Sequence, residues 1–250
     1  MNVVVNGQMT NYQKVGKGKV VICLPGWADT GVSFSKLTEV LQEHYTVLSL
    51  DLPGFGGTQA PPHAWGLNDY SKFVGDWLKK ISINETYAIV GHSYGGAVAI
   101  DAIASKEVRV KKLVLLASAG IRNKKIIRKK ILKAAAKTAK APLMLLPANK
   151  RRRLRRKVYS AIGSDLTLLP HMELTFKRMI GEDVQLAAQT IKTPTLLIYG
   201  TKDRDTPVAD GRKISAAIKN SKLEVMDGGH FLHQEQPEAV AQLVEEFLNA

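Results

Sequence analysis

Cysteine is nearly absent from this sequence of 250 residues. Cys23 is the only one, which excludes an internal disulfide and a metal site built from several cysteines. No run approaches the roughly 18 consecutive apolar residues of a membrane span, and the first ten residues lack the basic stretch and apolar run of a signal peptide. These absences favour a cytoplasmic protein in which Cys23, within the apolar run 20–24, is a buried thiol.

Acidic residues are scarce in one segment of the chain. The stretch Gly120–Val184 contains 18 Lys and Arg but only 4 Asp and Glu, an excess equal to the net charge of +14, and the remainder is balanced. The segment has helical composition without a convincing strand, and a further helix is expected near Pro170. One helix is predicted from a stripe of apolar side chains, with basic residues around it: Ile126, Ile127, Ile131, Leu132 and Ala135. We therefore predict a basic helical cap over residues 120–185, inserted into a core formed by residues 1–119 and 186–250.

Outside this segment, short apolar runs alternate with amphipathic helical patterns. Such alternation indicates an α/β fold with a mostly parallel sheet, and the continuous apolar runs suit strands covered on both faces. Eight strands are predicted at 3–5, 11–15, 20–24, 46–50, 87–90, 112–117, 195–199 and 222–226. Helices are predicted at 34–44, 68–80, 94–105, 209–218 and 237–248. The expected fold is thus an eight-stranded sheet flanked by helices, with the cap inserted.

A Gly-x-Ser-x-Gly pattern occupies Gly91–Gly95, between a predicted strand and a predicted helix. This strand-turn-helix setting exposes the serine hydroxyl at the tip of a tight turn, as a nucleophile elbow requires. A serine hydroxyl is a poor nucleophile at neutral pH and needs a histidine that removes its proton. The pattern therefore predicts Ser93 as a nucleophile.

His230 is the favoured general base, because it follows the last predicted strand at the sheet edge where the elbow also lies. His92 is expected to be structural, and His233 is the weaker alternative base. Two carboxylates compete to orient the imidazole. Asp203 is favoured because it comes first after its strand, and Asp205 remains the alternative.

Two backbone N–H groups are needed to stabilise a tetrahedral oxyanion. We predict that Tyr94 supplies one. The other is assigned to Trp27, in the loop after the third strand, where Gly26 permits close approach.

Taken together, these motifs resemble those of the α/β-hydrolase superfamily over nearly the whole chain. The resemblance also rests on Asp51–Gly56, on the Gly-x-x-Asp-x-x-x-Pro loop that contains Asp203, and on Gly229-His230-Phe231. The order Ser93, Asp203, His230 is the order of that superfamily. Relatives usually carry His-Gly where this chain has Pro25-Gly26. The resemblance implies a catalytic triad of these three residues, with Trp27 and Tyr94 at the oxyanion hole.

The expected activity is that of a serine carboxylesterase that cleaves small or acyl-chain esters or thioesters through an acyl-enzyme, with no metal or organic cofactor. Two alternatives stay open. The first is an acyl esterase that docks an anionic partner on the basic cap, such as acyl carrier protein or an acidic membrane surface. The second is a non-catalytic binding protein on the same fold. Nucleic acid is not an expected partner, because the basic run lacks interleaved aromatic residues.

Overall fold

A computed structural model of the chain describes residues 1–122 and 169–250. The helical stripe predicted between Ile126 and Ala135, and most of the predicted cap, lie outside the described residues. The boundaries of the cap at 120 and 185 therefore stay a prediction.

Eight strands form one sheet in the order β1-β2-β4-β3-β5-β6-β7-β8. Their bounds are β1 Asn2–Val5, β2 Gln8–Val15, β3 Lys19–Leu24, β4 Tyr45–Leu50, β5 Thr86–His92, β6 Val110–Leu116, β7 Thr195–Gly200 and β8 Ser221–Met226. The pairs β1–β2 and β2–β4 are antiparallel, and every pair from β4 to β8 is parallel. The predicted fold, a mostly parallel sheet of eight strands, is confirmed.

Eight α-helices lie in the described part of the chain. They are α1 Ser35–Leu41, α2 Leu67–Lys80, α3 Tyr94–Ala104, α4 Glu173–Met179, α5 Gln185–Gln189, α6 Val208–Ala217, α7 Leu232–Glu235 and α8 Pro237–Asn249. The helix expected over 34–44 is shorter: a 3-10 turn at Gly31–Phe34 precedes α1, and after Leu41 the chain continues in turns, with the His44 N–H bonded to the Leu41 carbonyl. The helix expected near Pro170 is α4, which follows a 3-10 turn at Pro170–Met172.

Side chains alternate between the two faces of the sheet, and each face carries its own apolar core. Ile22 and Leu24 of β3 pack with α2, α3, α5 and α6, whereas Val21 and Cys23 pack with α1, α7 and α8. This two-sided burial explains why β3 reads as a continuous apolar run in the sequence. The prediction that Cys23 is buried is confirmed.

In the described ranges, no helix combines the length and the hydropathy that a bilayer crossing requires. The cytoplasmic location stays a prediction.

Candidate active site

Ser93 lies in the turn between β5 and α3, with backbone angles of φ 49° and ψ −118°. A non-glycine residue in this region costs about 1–3 kcal/mol, so the surrounding structure must hold it there. The Ser93 N–H donates to the carbonyl of Leu116 at 3.0 Å, and the Ser93 carbonyl accepts from Ala119 N–H at 2.9 Å. The end of β6 thus fixes the strained turn.

The two glycines of the pattern are required by close packing around this turn. A Cβ on Gly91 would lie 2.6 Å from the Cα of Gly96, and a Cβ on Gly95 would overlap the carbonyl oxygen of Leu24. Strand β5, helix α3 and the end of β3 can approach this closely only where no side chain intervenes.

Three residues that are far apart in the chain meet at the carboxyl edge of the sheet. His230 Nε2 lies 3.0 Å from Ser93 Oγ, and His230 Nδ1 lies 2.8 Å from Asp203 Oδ2. The Asp203 side chain is fully buried, while that of His230 is 15% exposed. The structure therefore brings the predicted nucleophile, base and carboxylate into one hydrogen-bond chain.

A hydrogen-bond network holds the Asp203 carboxylate against the His230 imidazole. The N–H groups of Asp205 and Thr206 donate to Asp203 Oδ1 at 2.8 and 2.9 Å. Asp205 contributes its backbone, and its side chain is exposed. Burial raises the pKa of Asp203, but hydrogen bonds from His230 and Thr206 outweigh it, and the net shift is downward. The carboxylate is therefore ionised at neutral pH.

Thr206 is a residue of this site that the sequence analysis missed. Its hydroxyl lies 2.7 Å from Asp203 Oδ2, 2.9 Å from the Ala117 carbonyl and 3.1 Å from His230 Nδ1. The available signal was the spacing Asp203-x-x-Thr206, since an Asp side chain often accepts from backbone N–H groups two or three residues later.

The remaining histidines fall into two groups. His44, His63 and His171 are exposed. His92 and His233 are each 1% exposed, and their ring centroids lie 4.5 Å apart. His92 Nε2 is 2.9 Å from the carbonyl oxygen of His230, so the His92 ring contacts the backbone of His230. Among the described residues, it makes no hydrogen bond to Ser93 Oγ. This placement agrees with a structural role for His92.

The predicted oxyanion donors lie next to the elbow. A Cβ added to Gly26 would be 3.2 Å from Ser93 Cβ, so the loop that carries Trp27 passes directly beside the serine. Tyr94 is the first residue of α3, where an N–H has no acceptor within its own helix. Among the described residues, neither the Trp27 N–H nor the Tyr94 N–H has a hydrogen-bond acceptor.

Aromatic rings surround the Trp27 indole. Its ring centroid lies 4.9 Å from that of Phe55, 5.0 Å from that of Phe176 and 6.3 Å from that of Tyr94. Phe176 belongs to α4 in the basic segment, which therefore contacts the loop beside the candidate nucleophile.

Two groups of side chains in the described residues have metal-ligand spacing. One is Asp203, Asp205 and His230. There the lone pairs of Asp203 already accept from backbone N–H groups, Thr206 and His230, so a metal ion would displace an existing network. In the other, formed by Asp29, His92 and His233, each side chain retains at least one buried atom without a hydrogen-bond partner among the described residues.

Comparison with known proteins identifies the family of this chain. Residues 21–243 match the model of a family described as "Alpha/beta hydrolase family". The chain belongs to this family. The superfamily resemblance drawn from the sequence motifs is thereby confirmed.

Several relatives of this alpha/beta hydrolase span nearly its full length. The "Uncharacterized hydrolase YugF" of Bacillus subtilis is 24% identical over 98% of this chain and 94% of its own. Two solved structures share the fold at TM-scores of 0.79 and 0.77. They are the enol-lactonase of Burkholderia xenovorans LB400, 20% identical over 100% of both chains, and a thermophilic esterase of Thermogutta terrifontis, 19% identical over 100% of this chain and 97% of that one.

Proposed function

We propose that this alpha/beta hydrolase is a serine carboxylesterase, of EC 3.1.1 type, that cleaves a carboxylic ester or thioester of a small or acyl-chain substrate. The observation that carries the proposal is the unbroken hydrogen-bond chain from Ser93 Oγ through His230 to Asp203, at 3.0 and 2.8 Å. These are the distances over which a general base removes a proton from a nucleophile.

In the first half of the reaction, Ser93 Oγ attacks the substrate carbonyl carbon while His230 Nε2 takes the hydroxyl proton. The tetrahedral intermediate then collapses, the bond to the leaving alcohol or thiol breaks, and His230 returns the proton to that leaving group. The product is an acyl-enzyme on Ser93. Asp203 accepts from Nδ1–H throughout, which keeps Nε2 free as the base and stabilises the imidazolium.

In the second half, a water molecule attacks the acyl carbon and gives its proton to His230. Collapse of the second intermediate returns that proton to Ser93 Oγ and releases the carboxylic acid. We assign the Trp27 and Tyr94 N–H groups to the oxyanion in both steps, each worth about 100- to 1,000-fold in kcat. Side chains, backbone and water perform every step, so the reaction requires no cofactor.

A fluorophosphonate probe tests this proposal without knowledge of the natural substrate. Wild-type protein should be labelled, Ser93→Ala should not, and Ser105→Ala should match wild type because Ser105 is an exposed residue just after α3. Equal labelling of wild type and Ser93→Ala, or no labelling of wild type, would refute the assignment and favour a non-catalytic binding protein.

The segment 120–185 is proposed to be a cap over this site. The packing of Phe176 against Trp27 supports this proposal, since it places one helix of the segment beside the elbow. An apolar cover gives an acyl chain a dry environment. In a series of p-nitrophenyl esters of graded chain length, Phe176→Ala should change the preferred length, whereas an unchanged profile would contradict this placement.

The charge of the same segment supports a second proposal, that it docks an anionic partner such as acyl carrier protein or an acidic membrane surface. Its 18 basic and 4 acidic residues account for the whole net charge. Electrostatic docking weakens steeply as salt rises. Binding to acyl carrier protein or to anionic vesicles that stays constant between low and high salt would contradict this proposal.

A further inference from the structure

A second cluster of polar side chains lies beside the triad and takes no part in its hydrogen-bond chain. It consists of Asp29 in the loop after β3, His92 at the end of β5 and His233 in α7. The candidate ligand atoms of these residues all lie within 4.8 Å of one another, and His92 Nδ1 is 3.9 Å from Asp29 Oδ2. Three segments that are distant in sequence thus converge on one point.

Several buried atoms of these residues have no hydrogen-bond partner in the described residues. They are Asp29 Oδ2, His92 Nδ1 and both ring nitrogens of His233, of which one can face the other two residues. Buried polar atoms are nearly always paired, because an unpaired one costs about 1–3 kcal/mol. One such atom from each of three side chains, all within 4.8 Å of one another, indicates that a component which contacts all three belongs there.

The hydrogen bonds elsewhere on these side chains define what each atom offers. His92 Nε2 contacts the carbonyl oxygen of His230, which can only accept, so Nε2 carries the proton and Nδ1 presents a lone pair. Asp29 Oδ1 already accepts from the Thr30 N–H at 2.8 Å, which leaves Oδ2 as a free acceptor. A neutral His233 adds a third lone pair.

With the His233 lone pair turned toward Asp29 Oδ2 and His92 Nδ1, the cluster presents three acceptors, which is more than one water molecule can satisfy, because water donates only two hydrogen bonds. A cation meets all three acceptors at once.

We propose that Asp29, His92 and His233 bind one divalent transition-metal ion through Oδ2, Nδ1 and a ring nitrogen. Two imidazoles and one carboxylate are a ligand set that such ions favour, with water completing the coordination. The bond from a His92 ring nitrogen to a backbone carbonyl is the outer contact that commonly orients a metal-binding histidine.

The geometry requires the three side chains to draw together. Tetrahedral coordination with bonds of about 2.1 Å places ligand atoms about 3.4 Å apart. The Asp29 and His92 atoms, now 3.9 Å apart, must therefore approach by about half an ångström, and pairs that include His233, which lie within 4.8 Å, by up to about 1.4 Å. The Asp29 side chain is 21% exposed, although its Oδ2 atom is buried, so the cluster lies just beneath the protein surface. The ion would join the loop of Trp27 to the strand end before Ser93 and to the helix after His230.

Metal binding is tested on wild-type protein freed of metal by dialysis against a chelator. Titration calorimetry with ZnCl2 should give one site per chain, and Co²⁺ should produce visible absorption bands of a low-coordinate site. At free zinc near 100 times Kd, the Tm should rise by about 5–10 °C. Absence of a one-to-one site on the folded wild type would overturn the proposal.

Matched variants locate the ion. Asp29→Asn and His233→Gln should each weaken zinc binding at least tenfold, whereas His63→Gln, at an exposed histidine, should not. Asp203→Asn should also bind as wild type does. Zinc binding that survives both ligand variants, or that is lost only in Asp203→Asn, would overturn the proposal, and circular dichroism establishes that each variant is folded.

Discussion

Replacing Asp203 with asparagine changes one oxygen of the triad carboxylate to an NH₂ group, and the surrounding donors leave no good orientation for it. If the amide oxygen accepts from His230 Nδ1–H, the NH₂ group faces the N–H groups of Asp205 and Thr206, which now lie 2.8 and 2.9 Å from Asp203 Oδ1. Donor would then meet donor, and two backbone N–H groups would be buried without an acceptor.

The opposite orientation of the amide gives both backbone N–H groups an acceptor, but it leaves His230 in a tautomer that cannot act as a base. The amide oxygen then accepts from the two N–H groups, and the NH₂ group donates to His230 Nδ1, which lies 2.8 Å from the present Oδ2. An imidazole that accepts at Nδ1 carries its proton on Nε2, the atom 3.0 Å from Ser93 Oγ. That tautomer cannot take the serine proton.

We therefore expect Asp203→Asn to reduce kcat about 10,000-fold, or about 5 kcal/mol in the activation barrier, as in serine proteases that carry the equivalent change. The assay is the rate of fluorophosphonate labelling together with p-nitrophenyl ester hydrolysis. Asp205→Asn is the matched control, because its exposed side chain is outside the hydrogen-bond chain, and its rates should stay within about threefold of wild type. The reasoning is refuted if Asp203→Asn keeps a tenth of the activity, or if Asp205→Asn loses as much.

Two further predictions concern ionisation in the folded state. Burial raises the pKa of Cys23 to about 12, so the native thiol should react with a disulfide reagent at pH 8 only after urea unfolding; fast reaction of the native protein would contradict this. The folded-state pKa of Asp203 is depressed, so its stabilising contribution is present above the ordinary carboxyl pKa of about 4 and is lost as pH falls through the folded value. The difference in unfolding free energy between wild type and Asp203→Asn, from urea titrations at pH 7 and pH 3, should shrink at the lower pH, and a constant difference would exclude this linkage.

Much of the core could be predicted from sequence because strands buried on both faces leave continuous apolar runs. The run around Cys23 is one example, and β5 before Ser93 is another. Since parallel strands present their carboxyl ends at one edge, residues after β5, β7 and β8 were expected to meet, and Ser93, Asp203 and His230 do meet there.

Other parts of the site depend on contacts that no local pattern encodes. Spacing alone left Asp203 and Asp205 as alternatives, because only the fold of their loop decides which side chain turns inward. The spacing from Asp203 was a local signal for Thr206, but the approach of its hydroxyl to His230 Nδ1 depends on the same loop. The grouping of Asp29 with His233 joins positions about 200 residues apart, and each residue has an ordinary local context.

The position of β8 at the edge of the sheet has a consequence for folding and inactivation. His230 reaches Ser93 only when β8 pairs with β7, across 137 positions of chain, and β8 is only partly buried. Edge strands fray more readily than central ones because fewer contacts hold them. Under gradual denaturation we therefore expect the contact between His230 and Ser93 to be lost while the amide protons of the central strands are still protected from exchange.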